Sequence, residues 1–395
     1  CGGCVRDILL KRQPKDYDIV TNASSDQIIK LFRRTVAIGI KFGIIQVLQD
    51  DDCFEIATFR RDGEYKNGRH PETVTPSDEK EDALRRDFTI NGLFFDPVEQ
   101  KIIDYVEGQQ DIERALIRTI KKPYDRFQED HLRLMRAIRF AAQLNFKIED
   151  KTWVAINNMA NLIQDVSIER IREELFLMLR SQYPAKALLL LYRTKLLHNI
   201  FGQFFKILRN NSLYCDSSLN NILVMLELAN PIKSNELALI ILLHGFFDLA
   251  GNVNERLVGK ICRYFSLSNK SSEHISYVIL NYYKVQKVFE MSTATFKRFL
   301  RSPFINTLLE FYRLFCLAKN KSLAPYYYCM KKLKELSLKD LFPKPLVNGD
   351  NLIELGFSPG PIFKEILFIL ENKQLSGEIK DYSQAVSFIK NEFLC

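Results

Sequence analysis

Strand-like alternation is confined to the first third of the chain. The runs Ile44-Ile45-Gln46-Val47-Leu48 and Phe54-Glu55-Ile56-Ala57-Thr58-Phe59 are rich in β-branched residues and predict two strands. Ser24-Ser25-Asp26-Gln27 precedes Ile28-Ile29-Lys30-Leu31-Phe32, an oxygen-bearing cap ahead of an apolar stripe, and predicts a helix start. Residues 60–81 are polar and rich in Gly, Pro, Asp and Glu, which reads as one long loop. Beyond about residue 119 helical periodicity takes over. Helices are predicted at 129–146, 168–179, 184–197, 236–247 and 292–300, punctuated by Pro123, Pro184, Pro231, Pro303 and Pro325. The pattern predicts an α+β chain, an α/β head at 1–118 followed by helices only, without an internal repeat.

Composition changes this picture little. At 395 residues with 47% hydrophobic content, the chain has length for several domains. A net charge of +8 suits a polyanionic partner such as nucleic acid. The eight cysteines form no histidine-matched zinc framework and fit free thiols in a reducing compartment. The most apolar run, Leu237 to Leu243, is too short to span a bilayer, and no signal peptide is visible. A cytoplasmic protein without a membrane partner is expected. The chain opens on Cys1-Gly2-Gly3 with no Met and no strand before it, so a short N-terminal piece is expected to be missing.

Three clusters carry candidate chemistry. The first is Gly2-Gly3-Cys4-Val5-Arg6-Asp7 followed by Asp16-Tyr17-Asp18. On a strand, period-2 alternation would put both carboxylates on one face, where hard oxygens suit Mg²⁺ bridging phosphates. The glycines allow close approach of backbone to phosphate, and Arg6 can neutralise it. Taken alone, Asp-x-Asp reads rather as a solvated surface turn, since short acidic pairs are common. The second cluster is Glu81-Asp82-Ala83-Leu84-Arg85-Arg86-Asp87-Phe88-Thr89-Ile90-Asn91. It reads either as phosphate and ribose contacts or as a charged helix start with Glu81 paired to Arg85. In the third, Glu129 to Phe140, the residues Asp130, Arg133, Arg136 and Arg139 recur every three positions as one helical stripe. It is either a solvated face or a base reader. An Asp accepts from the exocyclic amino group of cytosine or adenine, and repels the carbonyl that guanine or uracil presents there.

In this order the clusters resemble the class II tRNA nucleotidyltransferase and bacterial poly(A) polymerase superfamily. The shared pattern is GGxVRD, DxD, RRDFxxNxL and EDxxRxxRAxRFA, met here at Gly2–Asp7, Asp16–Asp18, Arg85–Leu93 and Glu129–Ala141. The resemblance implies a nucleotidyltransferase palm head at 1–118, a base-templating neck at 119–180, a helical body at 181–320 and a tRNA-binding tail at 321–395. It implies that Gly3 and Arg6 contact the triphosphate and that Asp16 and Asp18 are catalytic and hold Mg²⁺. Arg86, Asp87 and Asn91 would contact the nucleotide and its ribose. Asp130 and Arg133 would template the base, with Arg136 and Arg139 in support, and Glu55 would be a weaker third carboxylate. Ile38 to Ile45 is similar to the CCA-adding form of its loop. Pro345-Leu346-Val347-Asn348-Gly349-Asp350-Asn351-Leu352 with Leu355 to Pro361 is similar to the tail of bacterial CCA-adding enzymes, from which Lys364 departs.

The expected activity is CCA addition to tRNA from CTP and ATP, with no obligate protein partner. The rivals are a poly(A) polymerase, a CC-only or A-only specialist, and a catalytically degenerate RNA-binding protein. Leu242-Leu243-His244-Gly245 faintly resembles a phosphohydrolase His-Asp pair, but Gly245 stands in place of the Asp, and His244 is expected in a helical core.

Overall fold

A computed structural model describes residues 1–39, 43–50, 52–63, 65–66, 70–71, 73–208, 216–250 and 254–393. The chain is α+β and divides into two compact units. One comprises Cys1–Cys215 with Ala229–Ala238 and Tyr264–Ser266; the other comprises Asp216–Leu228, Leu239–Arg263 and Leu267–Cys395.

The first unit starts with helix α1 (Gly3–Leu9), strand β1 (Asp18–Thr21), helix α2 (Ser25–Leu31) and strands β2 (Thr35–Gly39), β3 (Ile44–Gln49) and β4 (Asp52–Thr58). The four strands form one sheet in the order β1-β4-β3-β2, with β1 parallel to β4 and the other pairs antiparallel. Ser24 caps α2 in a reciprocal capping box with Gln27, so the predicted helix start is realised. Ile28 of α2 packs on Ile45, Val47 and Ile56 of the sheet as a buried cluster. On the opposite face, Val20 packs toward Ala83 and Phe94, and Asp18 and Glu55 lie side by side at its exposed end.

Residues 60–81 contain more order than a loop. Strand β5 (Arg60–Asp62) pairs with β8 (Val74–Pro76), and the two-residue strands β6 (Tyr65–Lys66) and β7 (His70–Pro71) pair inside that hairpin. Such polar strands lack apolar alternation, and their pairing is a tertiary choice. Helix α3 (Glu79–Leu84) is capped by Asp78. The hairpin β9 (Leu93–Asp96) and β10 (Lys101–Asp104) and helix α4 (Gly108–Glu113) complete the head.

Two-residue strands β11 (Leu116–Ile117) and β12 (Lys147–Ile148) flank helices α5 (Pro123–Glu129) and α6 (Arg133–Gln143). One continuous helix over 129–146 is therefore not formed. Asp130 is extended (φ −143°, ψ 106°) and its carboxylate accepts from Leu132 N at 3.1 Å, which ends one helix and starts the next. Helices α7 (Asp150–Met159), α8 (Ile168–Leu179), α9 (Pro184–Arg193) and α10 (Leu196–Leu208) follow. The predicted 168–179 helix is thus met, and 184–197 is split in two. The neck and the first part of the body belong to the same compact unit as the head.

The remaining helices are α11 (Asp216–Leu228), α12 (Asn235–Ala250), α13 (Glu255–Tyr264), α14 (Asn269–Asn281), α15 (Thr293–Leu300), α16 (Ile305–Ala318), α17 (Ala324–Glu335), α18 (Leu338–Leu341), α19 (Gly349–Glu354), α20 (Pro361–Ser376) and α21 (Tyr382–Phe393). His244 is buried in α12, its Nε2 3.3 Å from Tyr282 Oη and its ring against Phe311 and Phe315, as expected of a core residue. In the tail, Asn348 caps α19 through Asn351, and Leu352, Ile366, Leu370 and Ile389 share one buried core. No described helix is long and apolar enough to cross a membrane.

Candidate active site

Most of the predicted site residues meet in one cleft of about 650 Å³ within the first unit. Gly3, Arg6, Asp18, Arg86, Asp87, Asn91, Asp130, Arg133 and Arg136 line it, whereas Asp16 and Arg139 do not. Arg60, Arg85 and Arg170 also reach the cleft, which gives seven arginines against Asp18, Asp62, Asp87 and Asp130. That excess of fixed positive charge suits a triphosphate.

The carboxylates sit at the start of the sheet. Asp18 opens β1 and Asp16 lies two residues before it, so only Asp18 is on the strand. Asp18 is in register with Glu55 of β4, and neighbours in register share a sheet face. Asp16, Asp18 and Glu55 are exposed. Among the described residues no group of three His, Cys, Asp or Glu side chains is drawn together tightly enough to hold a metal ion. The donors present are still hard carboxylate oxygens beside a phosphate-sized cationic cleft, a chemistry that fits a divalent cation held partly by a bound nucleotide.

The glycine cradle and the arginine pair are built against each other. Gly2 has φ 67°, and a Cβ there would lie 2.8 Å from Arg86 Nη1, so only glycine fits. Arg6 donates to Asn91 Oδ1 at 2.7 Å and to Asp7 Oδ1 at 2.8 Å. Arg85 and Arg86 both clasp Asp82 rather than Glu81: Arg85 Nε reaches Oδ1 at 2.8 Å and Arg86 Nη2 reaches Oδ2 at 2.9 Å. Asp82 is fully buried. The acid fixes both arginines at the cleft wall, with Asp82 in the place expected of Glu81.

Asp87 is a buried node. Its Oδ1 accepts from Phe88 N at 2.8 Å and from Asn91 Nδ2 at 3.1 Å, and its Oδ2 accepts from Arg136 Nε at 2.7 Å. Burial alone would raise its pKa. The Arg136 charge, the Asn91 hydrogen bond and the Arg133 charge together hold it well below the usual carboxylate range. A lowered folded-state pKa favours the folded protein above the unfolded value of about 3.9, and that advantage is lost as pH falls through and below it. Asp87→Asn is accordingly expected to flatten the acid limb of stability measured by denaturant titration between pH 5 and pH 2. An unchanged limb would contradict the assignment.

Residues 119–180 supply the remaining wall of the cleft through Asp130, Leu132, Arg133, Arg136, Phe140 and Arg170. Asp130 accepts a two-pronged contact from Arg170 of α8, at 3.2 Å to Oδ1 and 2.9 Å to Oδ2. Arg133 is buried, donates to the Arg126 carbonyl oxygen at 3.0 Å and ion-pairs with Glu129. Arg139 turns away from the cleft: its Nε binds buried Glu174 at 2.6 Å and its guanidinium stacks 4.1 Å from the Phe140 ring centre, tying α6 to α8. Tyr65, whose hydroxyl donates to Asp62 at 2.7 Å, lies under the Arg133 guanidinium. Burial and that hydrogen bond push its pKa up to about 12, which keeps it neutral.

Arg126 supports the cleft wall from behind and was not marked by spacing. It is 2% exposed, and its Nη2 donates to the carbonyl oxygens of both Arg85 and Arg86, the latter at 2.5 Å. Its Nη1 pairs with Glu129, which also holds Arg133. One guanidinium thus joins the Arg85–Arg86 backbone to the Glu129–Arg133 pair. Within the stretch similar to a CCA-adding loop, Ile40, Lys41 and Phe42 lie outside the described residues.

Residues 1–118 match the family model of the Poly A polymerase head domain, and residues 145–208 match that of the probable RNA and SrmB-binding site of polymerase A. The CCA-adding enzyme of Bacillus pumilus is 43% identical over 202 residues, 51% of this chain and 50% of that enzyme. The CCA-adding enzyme of Enterococcus faecalis is 45% identical over 179 residues, 45% and 44% of the two chains. The chain thus matches about half the length of these curated relatives. The crystal structure of the Bacillus stearothermophilus CCA-adding enzyme in complex with CTP superposes with a TM-score of 0.76 at 27% identity, covering 100% of this chain and 94% of that one. A Thermotoga maritima CCA-adding enzyme complexed with tRNA shares the fold, with a TM-score of 0.66 at 21% identity and coverage of 99% and 90%. Residues 1–118 are thus similar to the Poly A polymerase head domain and residues 145–208 to the probable RNA and SrmB-binding site of polymerase A, about half of the chain is similar to CCA-adding enzymes, and the whole chain shares their fold.

Proposed function

We propose that this chain is a template-independent nucleotidyltransferase that adds CCA to the 3′ end of tRNA from CTP and ATP. The observation that carries the reading is the single cleft that holds Asp18, the Arg85–Asn91 segment and the Asp130/Arg133 pair together. The tRNA 3′-hydroxyl attacks the α-phosphate, and pyrophosphate leaves. Mg²⁺ held by Asp16 and Asp18 would lower the pKa of that hydroxyl and neutralise developing charge on the phosphate oxygens. Arg6 and Arg86 neutralise the triphosphate, and the Asp87–Asn91 pair presents an amide to the ribose. Asp130 has an acceptor position on Oδ2 left beside Arg170, enough for one exocyclic N–H of cytosine or adenine. Arg133 retains N–H groups for a ring nitrogen or carbonyl. The reaction belongs to the cytoplasm and requires no obligate protein partner.

The test is extension of a tRNA transcript lacking CCA, with Mg²⁺ and CTP, ATP or both. Growth by two residues with CTP, completed only with both nucleotides, is expected. Long tails with ATP alone would make the chain a poly(A) polymerase; addition of C alone or A alone would make it a specialist; binding without extension would make it a degenerate RNA-binding protein. In the same assay Asp130→Ala is expected to lower the preference for CTP and ATP over UTP and GTP by roughly 10- to 100-fold. Preserved selectivity would remove Asp130 from base reading.

A further inference from the structure

The segment Cys1-Gly2-Gly3-Cys4 places two thiols one turn apart beside the cleft. Cys4 is buried, and its Sγ lies 3.3 Å from the backbone nitrogen and 3.1 Å from the carbonyl oxygen of Cys1. Cys1 is half-buried, and its Sγ accepts from Arg86 Nη2 at 3.1 Å. The two glycines between them line the cleft, and Gly2 packs directly on the Arg86 guanidinium. We propose that Cys1 and Cys4 are a redox-active dithiol whose oxidation to a disulfide by a peroxide-class oxidant weakens nucleotide binding at this cleft.

Because Cys4 Sγ already lies against the Cys1 main chain, a rotation of the Cys1 side chain brings the sulfurs within bonding reach. Cys1, the more exposed, attacks the peroxide oxygen as its thiolate; the O–O bond breaks and the sulfenic acid forms with release of one water after proton transfer. The Cys4 sulfur then attacks the sulfenic sulfur, forms the S–S bond and expels a second water. Two thiols lose two electrons and hydrogen peroxide gains them. Rotation withdraws the Cys1 sulfur from Arg86, and the closed ring fixes Gly2 and Gly3 in a shape set by the disulfide rather than by the arginine. Burial raises the pKa of Cys262, Cys316 and Cys329, the last to about 12, which keeps those thiols protonated and slow.

The functional consequence rests on the cleft being a nucleotide site, so the test separates the two. The reduced full chain is first assayed for tRNA extension, which reports on the proposed activity alone. It is then treated with hydrogen peroxide, and the tryptic peptide ending at Arg6 is weighed, while CTP and ATP binding is measured by calorimetry before and after. The expected results are a peptide two hydrogens lighter, binding weakened roughly tenfold as one charge-assisted geometry is lost, recovery with dithiothreitol, and a Cys4→Ser variant that binds normally and resists peroxide. Absence of the lighter peptide, or its formation with unchanged binding, would overturn the proposal whether or not the reduced chain extends tRNA.

Discussion

Asp18→Ala lowers nucleotide transfer by roughly 10³-fold or more while leaving the fold intact. The expectation follows from where Asp18 stands. It opens β1, lines the cleft and is exposed, with no side-chain hydrogen bond or ion pair among the described residues. Surface positions without partners change stability by about 0.5 kcal/mol or less, so the denaturant midpoint of the variant stays near that of the parent. Glu55→Gln, in register with Asp18, is the graded companion and costs less. A transfer rate that survived Asp18→Ala in single-turnover assays would refute the metal assignment, and a collapsed midpoint would show a structural role instead.

Arg126→Met has the largest expected effect on stability, about 3 kcal/mol. The side chain is fully enclosed, and a methionine of similar length fills much of its volume. What is lost is the donor for two carbonyl oxygens, those of Arg85 and Arg86, and one of the two cations on Glu129. Each buried acceptor left without a donor costs about 1–3 kcal/mol. Urea denaturation reads the loss. Arg126→Lys, which keeps the charge but not the planar fork, is expected to recover only part of it. The same pair of variants reads out positioning, because KM for CTP and ATP rises more than kcat falls if Arg126 sets the spacing between phosphate and base groups. A midpoint unchanged by Arg126→Met would show that water replaces its hydrogen bonds.

The parts of this site that were legible in the sequence are those in which local chemistry and local geometry coincide. Ser24 and Gln27 announced α2, and the β-branched runs announced β3 and β4, because caps and alternation act within a few residues. Gly2, Arg6, Asp18, the Arg85–Asn91 cluster and the Asp130–Arg136 stripe were legible as candidate chemistry, and the cleft unites most of them. Three features were not. The break at Asp130 depends on a carboxylate turning back to Leu132 N, against a helical periodicity that runs through it. The strands inside residues 60–81 are polar, and only pairing across the chain makes them strands. Arg126, Arg170 and Glu174 hold the site through partners that no short window contains, Arg126 reaching the carbonyls of Arg85 and Arg86, and Arg170 and Glu174 reaching Asp130 and Arg139 from α8. Arg139 shares the spacing of its neighbours, yet faces Glu174 because a stripe of period three drifts around a helix of 3.6 residues per turn.

The guanidinium of Arg126 ends on main-chain oxygens, and every amino acid carries that oxygen. Replacing the side chains at 85 or 86 therefore leaves the link in place, whereas a side chain at 126 without a donor removes it. Such a strut is invisible to correlated substitution between related sequences, since only one of its ends is encoded by residue identity. It leaves lineages free to retune the side chains at 85 and 86 while the span that carries them stays anchored.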